Sequence, residues 1–368
     1  MKKIIEVSTD SNIGGAGRCI LTYLENYDRE KYEVLLVVPV KSLLTERAGA
    51  LGIRVIEVSD IAEKSLSYKG IKALKKVFSE EKPDLVHTHA SMSARIAAKL
   101  LGIKIVYTRH SVFPPSPKIS KGIGKVINGF INNFFSDKII AVAEAAKDNL
   151  TDTGVSDKKI TVVLNGVDAL TPKSEDEKSK IRQRFGVGDS FVVSIIARLE
   201  DIKGHDYFID AADILIKRGM KAKFVIAGTG SYESHLKEKV EKMGLQNDVL
   251  FTGFITDVDS LMNITDLQAN ASYGTEATSL SLLEGMSLGI PAVVSDFGGN
   301  PGVIKNGKNG FLFPEKNAQA MADAIYKVYS DNELYNELSC GSKKIFNETF
   351  TAVLMTRNIE KVYDLLLD

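Results

Sequence analysis

Residues 191–204 read FVVSIIARLEDIKG: an apolar run, Phe191–Ile196, broken only by Ser194, then a loop that carries Arg198 and Lys203 and ends on Gly204. A run with no polar alternation is buried on both faces, the condition of a strand in a parallel sheet covered by helices. The same unit recurs along the whole chain. Upstream, Lys3–Val7, Val34–Val38, Arg54–Val58, Leu85–His89, Ile103–Thr108 and Lys138–Val142 read as strands. Between them lie amphipathic stretches at Arg18–Tyr27, Leu43–Ala50, Ile71–Ser79, Ala94–Leu101 and Ile119–Phe134. Downstream, Lys223–Ala227, Val249–Thr252, Asp266–Ala269 and Pro291–Ser295 continue the series. Strands alternating with helices predict an α/β protein of two Rossmann-like, doubly wound parallel-sheet domains facing a central cleft.

The pattern pauses at Leu164–Lys180, where Asn165-Gly166 marks a turn, Pro172 breaks regular structure and Ser174–Lys180 is charged and apolar-free. The expected domains are therefore residues 1–165 and 166–349. A last helix, about 350–368, carries one apolar stripe through Leu354, Ile359, Val362 and Leu366. It packs on the second domain in the plainer reading, or crosses back to brace the first.

With 368 residues, 44% apolar and 26% charged, the chain is long enough for two cores and too balanced for disorder. The net charge is 0, so no global field draws it onto nucleic acid. Residues 1–165 hold 25 Lys/Arg against 18 Asp/Glu, which leaves that half basic and the remainder acidic. Cys19 and Cys340 stand alone, which excludes a disulfide framework and points to a reducing compartment. No segment resembles a signal peptide or a membrane span, so a cytoplasmic protein is expected, with attachment to the membrane surface left open.

In an open α/β sheet the ligand sits past the carboxyl ends of the strands, so the residues that follow strands are the candidates. Gly14 and Gly15 open the first such loop and permit close approach of a phosphate or sugar. Ile20 stands where a dinucleotide fingerprint needs a third glycine, which disfavours a nicotinamide dehydrogenase. His87, His89 and His110 end strands. The His-x-His pair has metal-ligand geometry, but no Glu or Cys completes a set nearby, and no metal is expected. Instead, His110 suits a hydrogen bond to a substrate hydroxyl or phosphate. Arg198 and Lys203 read as a clamp for a diphosphate, assisted by the next helix N-terminus. Gly228 and Phe254 follow the next two strands, where backbone approaches a planar base or merely turns.

The richest stretch is Tyr273–Gly285, YGTEATSLSLLEG. Glu276 precedes a helix whose first turn, Thr278–Ser281, offers amides to phosphate or sugar oxygens. Glu284 lies on an otherwise apolar helix, where a carboxylate needs a partner such as a ribose diol. A solvent-exposed Glu284 is the plain alternative. Asp257-Val258-Asp259 is read as a helix cap, not a metal site. Ile119–Phe134, with Lys118, Lys121 and Lys125 beside it, is an amphipathic helix that docks on a membrane surface or, in the plainer reading, buries its apolar face on its own sheet.

Taken in order, Gly14-Gly15-Ala16, Asn165-Gly166-Val167-Asp168, Arg198 with Lys203-Gly204, the Glu276-x7-Glu284 pair and Gly298-Gly299-Asn300-Pro301 resemble glycosyltransferase family 4, retaining enzymes of the GT-B fold. The resemblance implies that Arg198 and Lys203 hold the donor's diphosphate and that Glu284 binds the ribose. It implies that Glu276 meets hydroxyls of the transferred sugar, with Ala277, Thr278, Ser279 and Leu280 contacting sugar and phosphate through their backbone. It further implies that the Gly15 loop closes over the diphosphate, that His110 lies near the reacting sugar, that no metal cofactor is needed and that the closing helix crosses back. Ala277-Thr278-Ser279 and Gly302 depart from the family pattern and bear on donor choice.

The implied reaction is sugar transfer from a nucleotide diphosphate sugar, with uridine the base most frequent in the family, to a glycan or lipid-linked hydroxyl. The partners expected are that donor, that acceptor and a membrane surface, with no nucleic acid. A nucleotide-sugar epimerase or phosphorylase, or a non-catalytic sugar-nucleotide-binding subunit, is the alternative on the same fold.

Overall fold

Seven parallel strands form the first sheet: β1 (Lys2–Ser8), β2 (Tyr32–Pro39), β3 (Arg54–Val58), β4 (Leu85–His89), β5 (Lys104–Arg109), β6 (Lys138–Ala141) and β7 (Ile160–Val162), in the order β3-β2-β1-β4-β5-β6-β7. Six more form the second: β8 (Phe191–Ile196), β9 (Ala222–Ala227), β10 (Val249–Gly253), β11 (Leu267–Asn270), β12 (Ala292–Ser295) and β13 (Gly310–Phe313), in the order β10-β9-β8-β11-β12-β13. Every pairing in both sheets is parallel. These are two Rossmann-like domains. In each sheet the chain winds outward in both directions from one point, between β1 and β4 and between β8 and β11, and such switch points are where doubly wound sheets bind ligands.

The computed structural model describes residues 1–368 and divides into two units, Met1–Asp168 with Phe350–Asp368, and Ala169–Thr349. The division falls after Asp168, three residues beyond the expected position, because Val167 is tied to the C-terminal segment. Its N–H donates to the Phe350 carbonyl at 3.0 Å, and its own carbonyl accepts from Ala352 N–H at 2.9 Å. The last helix, Ala352–Leu367, builds the core of the first unit, with Met355, Ile359, Val362 and Tyr363 packed among Ile4, Ile20, Leu24 and Leu36. The plainer expectation, packing on the second domain, does not describe it.

Three local readings change. The charged run after Pro172, where the pattern is expected to pause, is the start of the helix Glu175–Phe185, opened by a capping box between Ser174 and Glu177. Short β7 and β13 pair at sheet edges without a long apolar run to announce them. The stretch Ile119–Phe134 forms two helices, Pro117–Ser120 and Gly122–Phe134, and the longer one does not bury its apolar face. Its only buried residue is Gly129, while Ile123 is 79% and Phe130 66% exposed.

Candidate active site

In the second unit the loops after β8 and β11 leave the sheet on either side of its switch point. Gly204, at the end of the first loop, has φ +71°, and a Cβ there would lie 2.1 Å from the Ala271 carbonyl oxygen. Only glycine lets the two loops approach this closely. Their proximity sets Lys203 Nζ 3.0 Å from Glu276 Oε2 and 3.1 Å from the Thr275 carbonyl. The same Glu276 oxygen accepts from Asn270 Nδ2 at 3.1 Å and from Ser272 Oγ at 3.0 Å. A second layer fixes those donors: Asn300 Nδ2 donates to Asn270 Oδ1, and Ser295 Oγ donates to the Ser272 carbonyl. Glu276 is thus a buried carboxylate locked by one cation and two neutral donors, as a buried charge requires.

The helix that follows runs Leu280–Leu288, beginning two residues later than expected, with Ser279 at its N-cap. The Ser279 hydroxyl does not cap the first turn; it pairs with Ser281 Oγ at 3.0 Å, and Ser281 Oγ donates to the Ile196 carbonyl at the end of β8. Ser279 therefore gives the first-turn amides no side-chain cap, and helix N-termini of this kind favour anions. Ala277 is buried beside Glu276, whose carbonyl accepts from Gly299 N–H at 2.9 Å. Glu284 is 6% exposed, so the solvent-exposed alternative is overturned. Gly302 has open space where a side chain would stand.

Not every candidate joins this cluster. Arg198 is exposed on the loop after β8. Gly228 crowds that loop, since a Cβ on it would lie 2.0 Å from the Ala197 oxygen, and its N–H donates to Gly253 next to Phe254. The Phe254 ring is 76% exposed and lines a separate groove with Phe251, Phe185 and Arg184, which neither Lys203 nor the two glutamates line. Asp257 accepts from Ser260 N–H at 3.1 Å and caps the helix Val258–Asn263.

In the first unit the switch point holds a cluster that the sequence reading assembled incompletely. Parallel register places Glu6 of β1 beside His87 of β4, and Ser8 beside His89. The expectation that no carboxylate completes the histidine pair is wrong: Glu6, His87 and His89 bring their polar atoms within 4.8 Å of one another. Those atoms are engaged with each other. Tyr363 Oη donates to Glu6 Oε1 at 2.7 Å, His87 Nδ1 lies 3.0 Å from the same oxygen, and His87 Nε2 lies 2.6 Å from Thr108 Oγ1. His89 Nε2 lies 2.7 Å from Glu6 Oε2, and His89 Nδ1 lies 2.6 Å from His110 Nε2.

This chain fixes the protons on a neutral pair. Glu6 accepts from His89 Nε2–H, which leaves His89 Nδ1 as the acceptor for His110 Nε2–H. His110 Nδ1 is then a bare acceptor, suited to a hydroxyl. Burial, followed by the charge of His87, lowers the His89 pKa, and enclosure lowers that of His110 well below the ordinary imidazole value, so both rings stay neutral. Burial pushes the Glu6 carboxyl up, but His87 beside it and the hydrogen bonds from His87 and His89 outweigh that and hold Glu6 ionised. A cavity of about 20 Å³, room for one water, lies beside His89, His110 and Asn165.

Gly14 and Gly15 start the helix Gly15–Asn26, and a Cβ on either would touch nothing within 4 Å. Packing within the unit therefore does not demand glycine there. What sequence reasoning missed are the residues that hold the candidates: Asn270, Ser272, Asn300, Glu6 and Tyr363. Glu6 had a signal, a single carboxylate inside the apolar strand IIEV.

Comparison with known proteins accounts for both units. Residues 13–169 match the Glycosyltransferase Family 4 model, and residues 177–345 match the model Glycosyl transferases group 1. The chain is 27% identical to the UDP-Gal:alpha-D-GlcNAc-diphosphoundecaprenol alpha-1,3-galactosyltransferase of Escherichia coli, over 100% of this chain and 97% of that one. It is 25% identical to the N-acetyl-alpha-D-glucosaminyl L-malate synthase of Bacillus anthracis, over 79% and 77% of the two chains. The fold is shared with Anabaena HepE, solved in complex with UDP and glucose, at a TM-score of 0.86 and 23% identity over 99% and 100% of the chains. Two Rossmann-like domains, each matched by its own model, make this chain a member of the group 1, family 4 glycosyltransferases, enzymes of the GT-B class.

Proposed function

We propose that this glycosyltransferase moves a hexose from a uridine diphosphate sugar to a hydroxyl of a glycan or lipid-linked acceptor, with the anomeric configuration retained, in the assembly of cell-surface polysaccharide or glycolipid. Peripheral attachment to the inner face of a membrane, where lipid-linked acceptors reside, is part of the proposal. The observation that carries it is the Lys203–Glu276 ion pair, its carboxylate buried, just before helix Leu280–Leu288, whose first turn Ser279 does not cap, with Glu284 buried on that helix. The name of the Escherichia coli relative, with a UDP-linked donor and a diphosphoundecaprenol-linked acceptor, supports the choice of both substrates.

In this reading Lys203, Arg198 and the amides of residues 278–281 meet the diphosphate, Glu284 takes the ribose, and Glu276 takes hydroxyls of the sugar. Backbone at Gly228 and Phe254 flanks the base. Gly14 and Gly15 leave room for the donor, and His110 accepts from a sugar hydroxyl through Nδ1. The bond from sugar C1 to the β-phosphate oxygen breaks, and C1 bonds to the acceptor oxygen on the same face. The acceptor's proton passes to the departing phosphate oxygen. Negative charge grows on that phosphate, and fixed cations and amides aimed at growing charge contribute most to such catalysis. No step is routed through a metal.

The test is a thermal-shift screen of UDP-glucose, UDP-galactose, UDP-N-acetylglucosamine and GDP-mannose, followed by transfer to diphosphopolyprenyl N-acetylglucosamine. Stabilisation by a UDP-sugar and an α-linked product, read from the anomeric proton coupling, are expected. A β-linked product would overturn retention. Stabilisation by GDP-mannose alone would overturn the uridine donor. Epimerised donor in the absence of acceptor would favour the alternative enzyme. The rate should survive EDTA, and its loss would end the metal-free reading.

A further inference from the structure

The helix Gly122–Phe134 is inside out. A helix on a soluble domain turns its apolar stripe to the core and its polar face to water. Here Ile119, Ile123, Val126, Ile127, Phe130 and Phe134 are all exposed, from 41% at Ile119 to 79% at Ile123. At one hundred degrees per residue the five that lie on the helix fall on a single face. The opposite face, Gly124, Asn128, Gly129 and Asn132, holds the helix to the domain. A Cβ at Gly129 would lie 2.1 Å from the Gly154 carbonyl oxygen, and one at Gly124 would lie 1.8 Å from the Lys118 oxygen. Asn128 Nδ2 donates to the Thr153 carbonyl at 2.7 Å. The Asn132 side chain accepts from the buried guanidinium of Arg95 at 3.1 Å, and its carbonyl accepts from the same group at 3.2 Å. The contacts on the inner face are built from small and amide side chains, so the outward turn of the stripe follows from how the helix is seated.

The stretch of sequence that carries the stripe is basic. Residues 85–136 contain seven Lys or Arg and no Asp or Glu. Lys118 and Lys121 stand exposed at the N-terminal end, and Lys99 Nζ lies 5.0 Å from the centre of the Phe134 ring at the other. An apolar face with lysines near both of its ends complements an anionic lipid surface. It opposes pairing with a second copy through the same face, which would bring the lysines of both copies together.

We propose that helix Gly122–Phe134 docks this protein on an anionic bilayer, with its apolar face in the headgroup–acyl boundary and Lys118 and Lys121 against the lipid phosphates. The choice of a bilayer rests in part on the lipid-linked acceptor proposed above. The test is co-sedimentation of the full-length protein with vesicles of phosphatidylcholine, with and without phosphatidylglycerol, alongside sedimentation velocity without lipid and the UDP thermal shift. Binding to the anionic vesicles is expected, weakened by salt and by Lys118→Gln with Lys121→Gln. The two lysine changes should reduce it roughly thirtyfold. Ile123→Asp with Phe130→Asp should abolish it while leaving the melting temperature and the UDP shift in place, because both side chains are already exposed. Vesicle binding by that double variant at the wild-type level would overturn the proposal. So would a concentration-dependent dimer that the same variant dissolves, in a protein that ignores anionic vesicles. The UDP shift needs no lipid and vesicle binding needs no donor, so failure of one reading is distinguishable from failure of the other.

Discussion

Lys203 belongs to one charged pair and one helix-tip environment, and its removal tests both. Lys203→Ala leaves Glu276 buried with Asn270 and Ser272 as donors and takes a cation from the diphosphate. Turnover should fall by about two to three orders of magnitude, with less effect on melting temperature. Initial rates and a thermal melt of the same preparation check it, and near-normal transfer would end the clamp. Glu6 is the corresponding residue of the first unit. Glu6→Gln turns an acceptor of three hydrogen bonds into an amide that must donate toward groups already donating. A loss on the order of 2–3 kcal/mol is expected in a denaturant titration.

His205, buried after Gly204 with both ring nitrogens unpartnered, has its pKa lowered by burial to about 4 from the ordinary 6.5. The unfolded chain therefore takes up a proton below pH 6.5 that the folded chain refuses until about pH 4, so stability falls as the pH drops through that window. The loss at its lower end is at most about 3 kcal/mol. His205→Leu should flatten the acid limb of a melting-temperature profile, and an unchanged limb would place the titration elsewhere.

Among the elements, helix Gly122–Phe134 has a seat sharply specified by shape. Gly129→Ala forces a methyl group to 2.1 Å from a backbone oxygen that cannot yield without moving the Gly154 turn. Destabilisation of about 1–3 kcal/mol is expected, whereas Ile127→Ala on the outer face should cost less than about 0.5 kcal/mol. Comparing the two melts checks which face holds the helix. The strands behave differently, because their length and register follow from burial on both faces. Most of those read from sequence have bounds within a residue or two of the observed ones. β7 and β13 escaped because three or four residues at a sheet edge carry too little apolar pattern. Helix Gly122–Phe134 misled because periodicity reports that a stripe exists and not which way it turns.

At the scale of the whole chain, the C-terminal segment returns to the unit that the N-terminus began. Removing residues 350–368 would strip Met355, Ile359, Val362 and Tyr363 from the first unit's core and leave Glu6 without its tyrosine donor. The truncated chain should lose the cooperative unfolding transition of the first unit and still show the UDP shift carried by the second. Calorimetry with and without UDP checks this, and two intact transitions would show the helix to be dispensable.

The sequence by itself determined the two doubly wound sheets, the approximate division between them, the loops that bear Lys203 and Glu276, and the helix that bears Glu284. Those depend on local runs of apolar side chains and on glycines at strand ends, which are written in consecutive residues. Only the tertiary structure decided that Glu6 joins three histidines and Tyr363, that Asn270, Ser272 and Asn300 hold Glu276, and that one helix wears its apolar face outward. Each of these depends on strand register or on packing between residues far apart in the chain. No window of neighbouring residues contains that information.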